Sequence, residues 1–439
     1  MSWAGWPTTF WTCGYGKPRR TQRKPNKFRL PAKEKEDHFM HNVYKICGGS
    51  IVTPSGILEN GTLVVENGTI ADVSSVPSLP GPHDIDARGL LVLPGIIDTH
   101  SDAIEHEMQP RPASLFPIEM SFYELERKLA GQGVTTIYHS LSMWDDNSPK
   151  EVRRNQSVKN MIRTIRRLSS AGHLIRHQLH LRFEIVNLNA VPHIVELLEN
   201  GELDQISFMD HTPGQGQYRN LEVQKKFVME RQKLSEEETL RVLEARRQQP
   251  KVSRDDLQLV ADLARSKGVP LASHDDDSVE KLELVQGWNA AISEFPITLE
   301  VASEAKRKGL YVVMGAPNVI LGKSHSNNLS ALEAIKEGLV DILCSDYYPP
   351  SMLQAAFRLH ALGYDLPYAF NMISLNPAKA LGISDRLGSL ESGKTADILL
   401  ARMHEGRPVI EKVLVGGQTV CQMDYRGRMD HAAAAVYSL

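Results

Sequence analysis

The hydrophobic pattern divides the chain into two β-rich ends and a long middle in which strands and helices alternate. Residues 43–93 consist of short β-branched runs separated by turns, and the turn Glu66-Asn67-Gly68 between two alternating runs predicts a hairpin. The segments GSLESGKTADILLARM and PVIEKVLVGGQTV near the other end show the same pattern of short β-branched runs and turns. We therefore predict one small β-sandwich domain formed by residues 43–93 and 387–424.

The middle of the chain predicts an α/β fold. Helical patterns such as SRDDLQLVADLARSKG and NLSALEAIKEG each end on a glycine, which is typical of a helix C-cap. Strands that alternate with such helices predict a TIM-like (β/α)8 barrel over residues 94–386. A long polar stretch, residues 221–250, is expected to be an inserted pair of solvated helices. The predicted barrel strands are residues 96–100, 134–139, 179–186, 205–211, 269–274, 290–295, 310–314 and 341–346.

Composition adds limits on partners and location. The chain has 439 residues, 41% of them hydrophobic and 23% charged, which is ordinary for a globular protein. A net charge of -3 predicts attraction neither to nucleic acid nor to a membrane. Its cysteines lack CxxC spacing, so we expect a reducing cytoplasmic location and no cysteine-based zinc site. They are Cys13, Cys47, Cys344 and Cys421.

The first residues differ from the rest. Residues 1–33 contain no acidic residue, many Lys and Arg residues, and no continuous apolar segment of the kind found in a secretory signal. A folded pattern begins at Met40. We therefore expect residues 1–39 to be a disordered leader, or the product of a start codon assigned too far upstream.

Polar residues suited to metal binding follow several of the predicted strands. In LPGIIDTHSDAIEHEMQPRP, the alternation of a strand places His100 and Asp102 on one face, although such a pair alone is weak evidence. Barrel enzymes carry their chemistry at the carboxyl ends of strands. Histidines and carboxylates that converge on one rim suit one or two divalent cations. The later strand-end residues of these types are Glu184, Asp210, His211, His274, Asp275, Glu294 and Asp346, together with Arg182.

These residues, in this order, resemble the amidohydrolase superfamily. The segments VLPGIIDTH and GSLESGKTADILL are similar to its usual entry and exit segments. More narrowly, DTHSDAIEHEMQPRP, MDHTPGQGQ, ASHDDDS and CSDYYPPSML resemble blocks of the phosphonate-metabolism diphosphatase family of the carbon–phosphorus lyase pathway, over residues 43–420. That family hydrolyses α-D-ribose 1-methylphosphonate 5-triphosphate to the 5-phosphate and diphosphate.

The resemblance implies a metal-dependent hydrolase that acts on a phosphoric anhydride. It implies about two divalent ions per chain, with zinc expected first and manganese or iron as alternatives. Glu184 would bridge the ions, and Asp346 would bind one ion and take the proton from water, with Asp210 or Asp275 as the alternative base. The implied metal ligands are His100, Asp102, Glu184, His211, His274 and Asp346.

A triphosphate also needs cationic contacts. Arg111, between two prolines, is the first candidate, because the guanidinium group matches phosphate oxygens. The second is the loop with Lys323, Ser324, His325 and Ser326, which could equally be a polar loop that caps the next helix.

The chain departs from the family in and near that loop. Leu321 stands where some relatives carry arginine, Lys323 replaces a glycine, and Ala103 stands where some relatives have asparagine. These departures leave the choice of phosphorylated substrate open.

Two other functions remain open from the sequence. The first is hydrolysis of a C–N bond in a cyclic amide or N-acyl compound, which is the superfamily's broad default. The second is a non-catalytic barrel, which would be expected to have lost the ligand-type residues. The expected binding partner is a phosphorylated ribose, and we expect binding neither to nucleic acid nor to a membrane. The resemblance leaves open whether the protein forms a homo-oligomer and whether it works together with carbon–phosphorus lyase components.

Overall fold

The computed structural model describes residues 43–425, apart from residues 112, 149, 217–220 and 325–327. The expected leader, residues 1–39, lies outside the described residues. His325 and Ser326 of the expected phosphate-binding loop also lie outside them.

Strands occur at both ends of the described chain and throughout its middle. In chain order they are β1 Val43–Thr53, β2 Gly56–Glu66, β3 Thr69–Ser74, β4 Ile85–Asp86, β5 Leu91–Pro94, β6 Ile96–Ser101, β7 Val134–Met143, β8 Arg176–Glu184, β9 Gln205–Met209, β10 Leu271–His274, β11 Ile292–Glu294, β12 Tyr311–Gly315, β13 Ile342–Cys344, β14 Ile398–His404, β15 Arg407–Val415 and β16 Gln418–Gln422.

Helices connect the middle strands, and a short 3₁₀ helix, Glu151–Arg153, precedes one of them. The α-helices are α1 Ala103–Met108, α2 Ile118–Gly131, α3 Asn155–Ser169, α4 Ala190–Glu199, α5 Leu221–Gln232, α6 Glu236–Arg247, α7 Arg254–Ser266, α8 Val279–Gly287, α9 Leu299–Arg307, α10 Ala316–Leu321, α11 Ala331–Lys336, α12 Ser351–Ala361, α13 Leu366–Asn371 and α14 Leu375–Ala380.

The middle strands form the predicted barrel. Strands β6 to β13 lie in sequential order in one parallel sheet of eight strands. A parallel bridge between Ser101 and Asp346 joins its first and last strands. The backbone N–H of Asp346 donates to His100 O at 2.9 Å, and that of Asp102 donates to Asp346 O at 2.7 Å. The (β/α)8 architecture is therefore confirmed, and its closure brings the ends of the first and last strands together.

Amphipathic helices cover the outside of the barrel. In α3, Val158, Ile162 and Ile165 are buried at the spacing of one helical face. They belong to the large apolar cluster that also contains strand residues such as Leu141 and Leu181. Helix α7 is capped at its N-terminus by Ser253, whose side chain accepts from the N–H of Asp256. These local signals explain why the helices were readable from the sequence.

Strands from both ends of the described part of the chain meet in a second sheet. Its order is β16-β15-β14-β5-β1-β2-β3, with β4 paired to β1. Strand β14 pairs antiparallel with β5, so that Ile398 lies opposite Pro94. Asn67 and Gly68 have φ angles of 51° and 80° in the turn between β2 and β3, as a two-residue hairpin turn with primed geometry requires. The predicted hairpin and the joining of both chain ends are confirmed, and hydrogen bonds link these strands into one sheet.

The polar insertion contains two helices, α5 and α6, as predicted. Helix α6 begins with a capping box in which Ser235 accepts from the N–H of Glu238 and Glu238 accepts from the N–H of Ser235. Among the described helices, none combines the length and apolar character needed to cross a membrane.

Candidate active site

Two aspartates at strand ends adopt backbone conformations that place them on the barrel rim. Asp275 follows β10 with φ 52°, and Asp346 follows β13 with φ 54°. This left-handed region is uncommon outside glycine, although aspartate tolerates it better than most residues. The N–H of Asp275 donates to Glu294 O at 2.8 Å, so a neighbouring strand end fixes the turn. Both carboxylates are thereby positioned by backbone hydrogen bonds.

One group of side chains at the rim, which we name the rim cluster, consists of His211, His274 and Asp275. Their potential ligand atoms all lie within 4.8 Å of one another. Nε2 of His211 and Nε2 of His274 each lie 3.6 Å from Asp275 Oδ2. All three residues are largely shielded from solvent, so their polar atoms converge in a place with little water.

Carboxylates behind the rim cluster fix the orientation of both imidazole rings. Nδ1 of His211 lies 2.6 Å from Glu184 Oε2, and the backbone N–H of His211 donates to Glu184 Oε1 at 3.0 Å. Nδ1 of His274 lies 3.1 Å from Glu294 Oε2. With Nδ1 directed to a carboxylate, the Nε2 atom of each ring is directed to Asp275.

A second group, the inner cluster, lies deeper in the barrel and consists of His100, His180 and Glu294. Nδ1 of His100 lies 3.0 Å from Glu294 Oε1, and Nε2 of His100 is buried without a hydrogen-bond partner among the described residues. The ring nitrogens of His180 contact Ser140 Oγ at 3.1 Å and Ser207 Oγ at 2.9 Å. Glu294 therefore links the two clusters, whereas His180 is held by hydroxyl groups.

A buried guanidinium group lies next to the rim cluster. Arg182 Nη1 donates to Asp102 Oδ1 at 2.7 Å, and Arg182 Nη2 lies 3.1 Å from His274 Nε2. Burial alone would lower the pKa of Arg182, but Asp102 and Glu105 raise it above its usual value. Burial would raise the pKa of Asp102, but Arg182 and Arg153 hold it well below its usual value. The pair is therefore ionised, and Asp102 already has a cationic partner.

The charges of the rim cluster are also strongly perturbed. Burial lowers the pKa of His274 well below its usual value, and Arg182 adds to this effect. Burial would likewise lower the pKa of His211, but Glu184 and Asp275 raise it to about 9. The pKa of Asp275 falls to about 2, because His274 and His211 outweigh the effect of burial. Asp275 is thus a carboxylate, and His274 is a neutral imidazole that can act as a ligand.

The rim opens into a cavity of about 270 Å³. Its floor contains the rim cluster together with Asp102, Arg182 and Asp346. Cationic and aromatic side chains complete it, and the ring of Trp144 stacks on that of His211 with centroids 5.2 Å apart. Further lining residues include Arg153, Phe295, Met314, Pro317, Leu321, Lys323, Ser324 and Tyr347.

The structure brings most of the residues named from the sequence to this cavity or directly behind it. Lys323 and Ser324 also line it. Glu184, expected to bridge metal ions, is fully buried and accepts from His211. Arg111 is exposed, forms a local bridge with Ser114, and is not among the described residues that line the cavity.

Three contributors were missed by sequence reasoning. His180 was detectable, because the period of two in LHLRFE places it on the same face as Arg182 and Glu184. Arg153 and Trp144 follow β7 in a loop and a 3₁₀ helix, where no local pattern indicates a direction toward the barrel axis.

The rim cluster fits a divalent metal ion. Imidazole Nε2 atoms and a carboxylate are ligands that zinc and related ions accept. Asp275 Oδ2 is buried without a hydrogen-bond partner among the described residues, and a cation would satisfy it. Nδ1 of His211 contacts Glu184 and Nδ1 of His274 contacts Glu294. A histidine that binds a metal ion usually has such a carboxylate at its other ring nitrogen. His211, His274 and Asp275 would therefore hold the ion.

The fold and the donor set define a class: a (β/α)8-barrel hydrolase with a candidate divalent-metal centre at its carboxyl-terminal rim. A family model described as the amidohydrolase family matches residues 207–420. The chain belongs to this family. It is 33% identical over 378 residues to the α-D-ribose 1-methylphosphonate 5-triphosphate diphosphatase of Escherichia coli strain K12, covering 83% of this chain and 98% of that protein.

The chain is also similar to more distant proteins, one by sequence and one by structure. An imidazolonepropionase of Thermoplasma acidophilum is 22% identical over 405 residues, covering 83% of this chain and 88% of that protein. The crystal structure of an amidohydrolase superposes with a TM-score of 0.60 at 16% identity, covering 86% of this chain and 98% of that one. The structural likeness agrees with the barrel and end-sheet fold.

Proposed function

We propose that the protein hydrolyses α-D-ribose 1-methylphosphonate 5-triphosphate to the 5-phosphate and diphosphate, with a divalent cation in the rim cluster. One observation carries the proposal: a single cavity is lined by the metal-ligand type residues and by cationic Arg153, Arg182 and Lys323. The nearly full-length match to a diphosphatase of this specificity supports the same substrate. A neutral amide would not need these cations.

The cationic side chains would bind the phosphate chain. Lys323 is exposed in the loop after α10 and can reach a phosphate group as a point charge. Arg153 is held by Glu105, whose Oε2 lies 2.7 Å from Nη2, so its guanidinium group is fixed before substrate binds. Preorganised cations of this kind cost little reorganisation when a phosphate arrives.

The reaction needs an activated water and a proton acceptor. A bound divalent cation would supply the first, because metal binding lowers the pKa of water to roughly 7, and it would also neutralise charge on phosphate oxygens. Asp346 is our proposed proton acceptor, since it lines the cavity floor and its backbone is fixed by His100 and Asp102. Hydrolysis of the anhydride bond between the α- and β-phosphates releases diphosphate.

Two alternative bases are less suited. Asp210 Oδ2 accepts from Lys251 Nζ at 2.6 Å, and its Oδ1 accepts from the N–H of Thr212 at 3.1 Å. Asp275 belongs to the rim cluster, where a cation would occupy its oxygen. Asp346 lines the cavity and lies outside the rim cluster, so it is our proposed base.

Substrate comparison tests the proposal. The metal-loaded protein would be assayed on α-D-ribose 1-methylphosphonate 5-triphosphate, on the 5-diphosphate and 5-phosphate analogues, and on dihydroorotate as a cyclic amide. We expect kcat/KM to be highest for the triphosphate by at least about tenfold, because it makes the most charge-assisted contacts. Turnover of dihydroorotate with no turnover of the triphosphate would support the amide-hydrolase alternative instead.

A further inference from the structure

The buried guanidinium group of Arg182 has a consequence for the number of metal ions. Only 8% of Arg182 is exposed, and its Nη1 and Nη2 atoms bridge Asp102 and His274. Asp102 and His100 are both among the metal ligands that the resemblance implies, and neither belongs to the rim cluster. A permanent cation therefore lies where a second metal ion would need that carboxylate.

We propose that Arg182 takes the place of a second metal ion, so that the centre binds a single divalent cation, in the rim cluster. This inference rests on the proposed metal-dependent function, and it revises the expectation of about two ions. The charge balance explains it: Asp102 lies 2.7 Å from Arg182 Nη1 and 3.9 Å from Arg153 Nη2. A second divalent cation bound to Asp102 would be repelled by both guanidinium groups, in surroundings that screen charge weakly, whereas of these two groups only Arg182 contacts the rim cluster.

The two clusters differ in how their ligand atoms are engaged. In the rim cluster, Asp275 Oδ2 has no hydrogen-bond partner among the described residues. In the inner cluster, His100 Nδ1 contacts Glu294 and both ring nitrogens of His180 contact serine hydroxyl groups, while Asp102 is paired with Arg182. Both carboxylate oxygens of Glu294 are thus taken by histidine Nδ1 atoms, and His100 Nε2 is the inner-cluster ligand atom without a hydrogen-bond partner among the described residues. One imidazole nitrogen without an available carboxylate is a poor site for a divalent ion.

One contact must be exchanged when the rim cluster binds its ion. His274 Nε2 accepts from Arg182 Nη2, and the same lone pair would serve the cation. The bond from Arg182 Nη1 to Asp102 does not involve His274 and keeps the guanidinium group beside Asp102. Arg182 would thus supply positive charge toward the substrate's phosphates, as a second metal ion does in two-metal hydrolases.

Metal content of charge variants tests this inference. The full-length protein would be stripped with chelator, reloaded with excess zinc, separated from free zinc and measured by elemental analysis. We expect about one ion per chain in the wild type. Arg182→Met should raise the content toward about two, because Asp102 is released beside His100 Nε2. Arg182→Lys, which keeps the charge, and Arg153→Met, whose strongest ion pair is with Glu105, should stay at about one.

A variant of Asp102 keeps the inference testable if Arg182→Met does not fold. Asp102→Asn removes the carboxylate that a second ion would need, and we propose that no second ion binds there. The zinc content should therefore stay at about one per chain. If the wild type binds about two ions and Asp102→Asn binds about one, the inference is overturned and the proposed function stays intact. A folded Arg182→Met that still binds about one ion would also overturn it. Absence of bound zinc from the wild type would instead refute metal dependence itself.

Discussion

The role of Glu184 gives a sharp prediction, because two models of the centre require different outcomes. Glu184 is fully buried and contacts His211 through both carboxylate oxygens, with distances of 2.6 Å to Nδ1 and 3.0 Å to the backbone nitrogen. In this geometry it orients a ligand. The family resemblance instead implied that Glu184 is itself a bridging ligand. Glu184→Gln keeps the shape of the side chain and removes its charge, so it separates the two roles.

The size of the effect follows from the hydrogen bond that is weakened. A buried hydrogen bond to a charged group contributes about 1.5–3 kcal/mol and a neutral one about 0.5–1.5 kcal/mol. The difference of roughly 1–1.5 kcal/mol corresponds to about a tenfold loss of metal affinity. This is the low end of the roughly 10–100-fold loss found when the hydrogen-bond partner of a metal-ligating histidine is changed. Glu184→Gln should therefore still bind the ion, but more weakly.

The assay is competition between the protein and a zinc chelator of known affinity, with melting temperature as a check on folding. A matched control exists in Glu126→Gln. Glu126 is also buried and lies 3.2 Å from Nε2 of a histidine, His177, outside the described cavity lining. The control should leave zinc affinity unchanged. Complete loss of the ion in a folded Glu184→Gln protein would show direct ligation, and an unchanged affinity would show that Glu184 does not orient His211.

Four further substitutions test the chemistry and the packing. Asp346→Asn should lower kcat on the triphosphate by roughly two orders of magnitude and change KM less, in steady-state kinetics, and a near-normal kcat would exclude Asp346 as the base. Lys323→Ala should raise KM through loss of a charge-assisted contact worth about 1.5–3 kcal/mol, whereas Arg111→Ala, outside the cavity lining, should change KM less than about twofold. Phe183→Ala should destabilise the barrel by about 3–5 kcal/mol in urea unfolding, because the side chain is fully buried against Phe208, and a loss below about 1 kcal/mol would contradict this packing.

Much of the fold was predictable because its signals are local. Strand and helix periodicities, the cap at Ser253 and the turn at Asn67-Gly68 each depend on a few neighbouring residues. The residues at which the strands end were harder to predict from the sequence. Residues 341–346 were expected to be one strand, but β13 stops at Cys344, since Asp346 turns to a left-handed conformation held by the first strand. That contact joins residues that are far apart in the sequence, so no local pattern indicates it.

The candidate site was predictable in its residue types and less so in their roles. His211 follows the fourth strand of the barrel and His274 ends the fifth, in agreement with the strand count made from the sequence. Which nitrogen of each ring faces a cation depends on Glu184 and Glu294, which come from other strands. The Arg182 contact with Asp102 likewise depends on barrel geometry. Sequence reasoning found the ligand-type atoms, and the fold determines how they are paired.

The central claim is that this cavity cleaves a triphosphate between its α- and β-phosphates. Phosphorus NMR of the zinc-loaded protein with α-D-ribose 1-methylphosphonate 5-triphosphate tests it most directly. Our account predicts that diphosphate and the 5-phosphate appear together in equal amounts, and that chelator stops the reaction. Release of single orthophosphate groups through a 5-diphosphate intermediate, or an unchanged spectrum from a folded and metal-loaded protein, would contradict it.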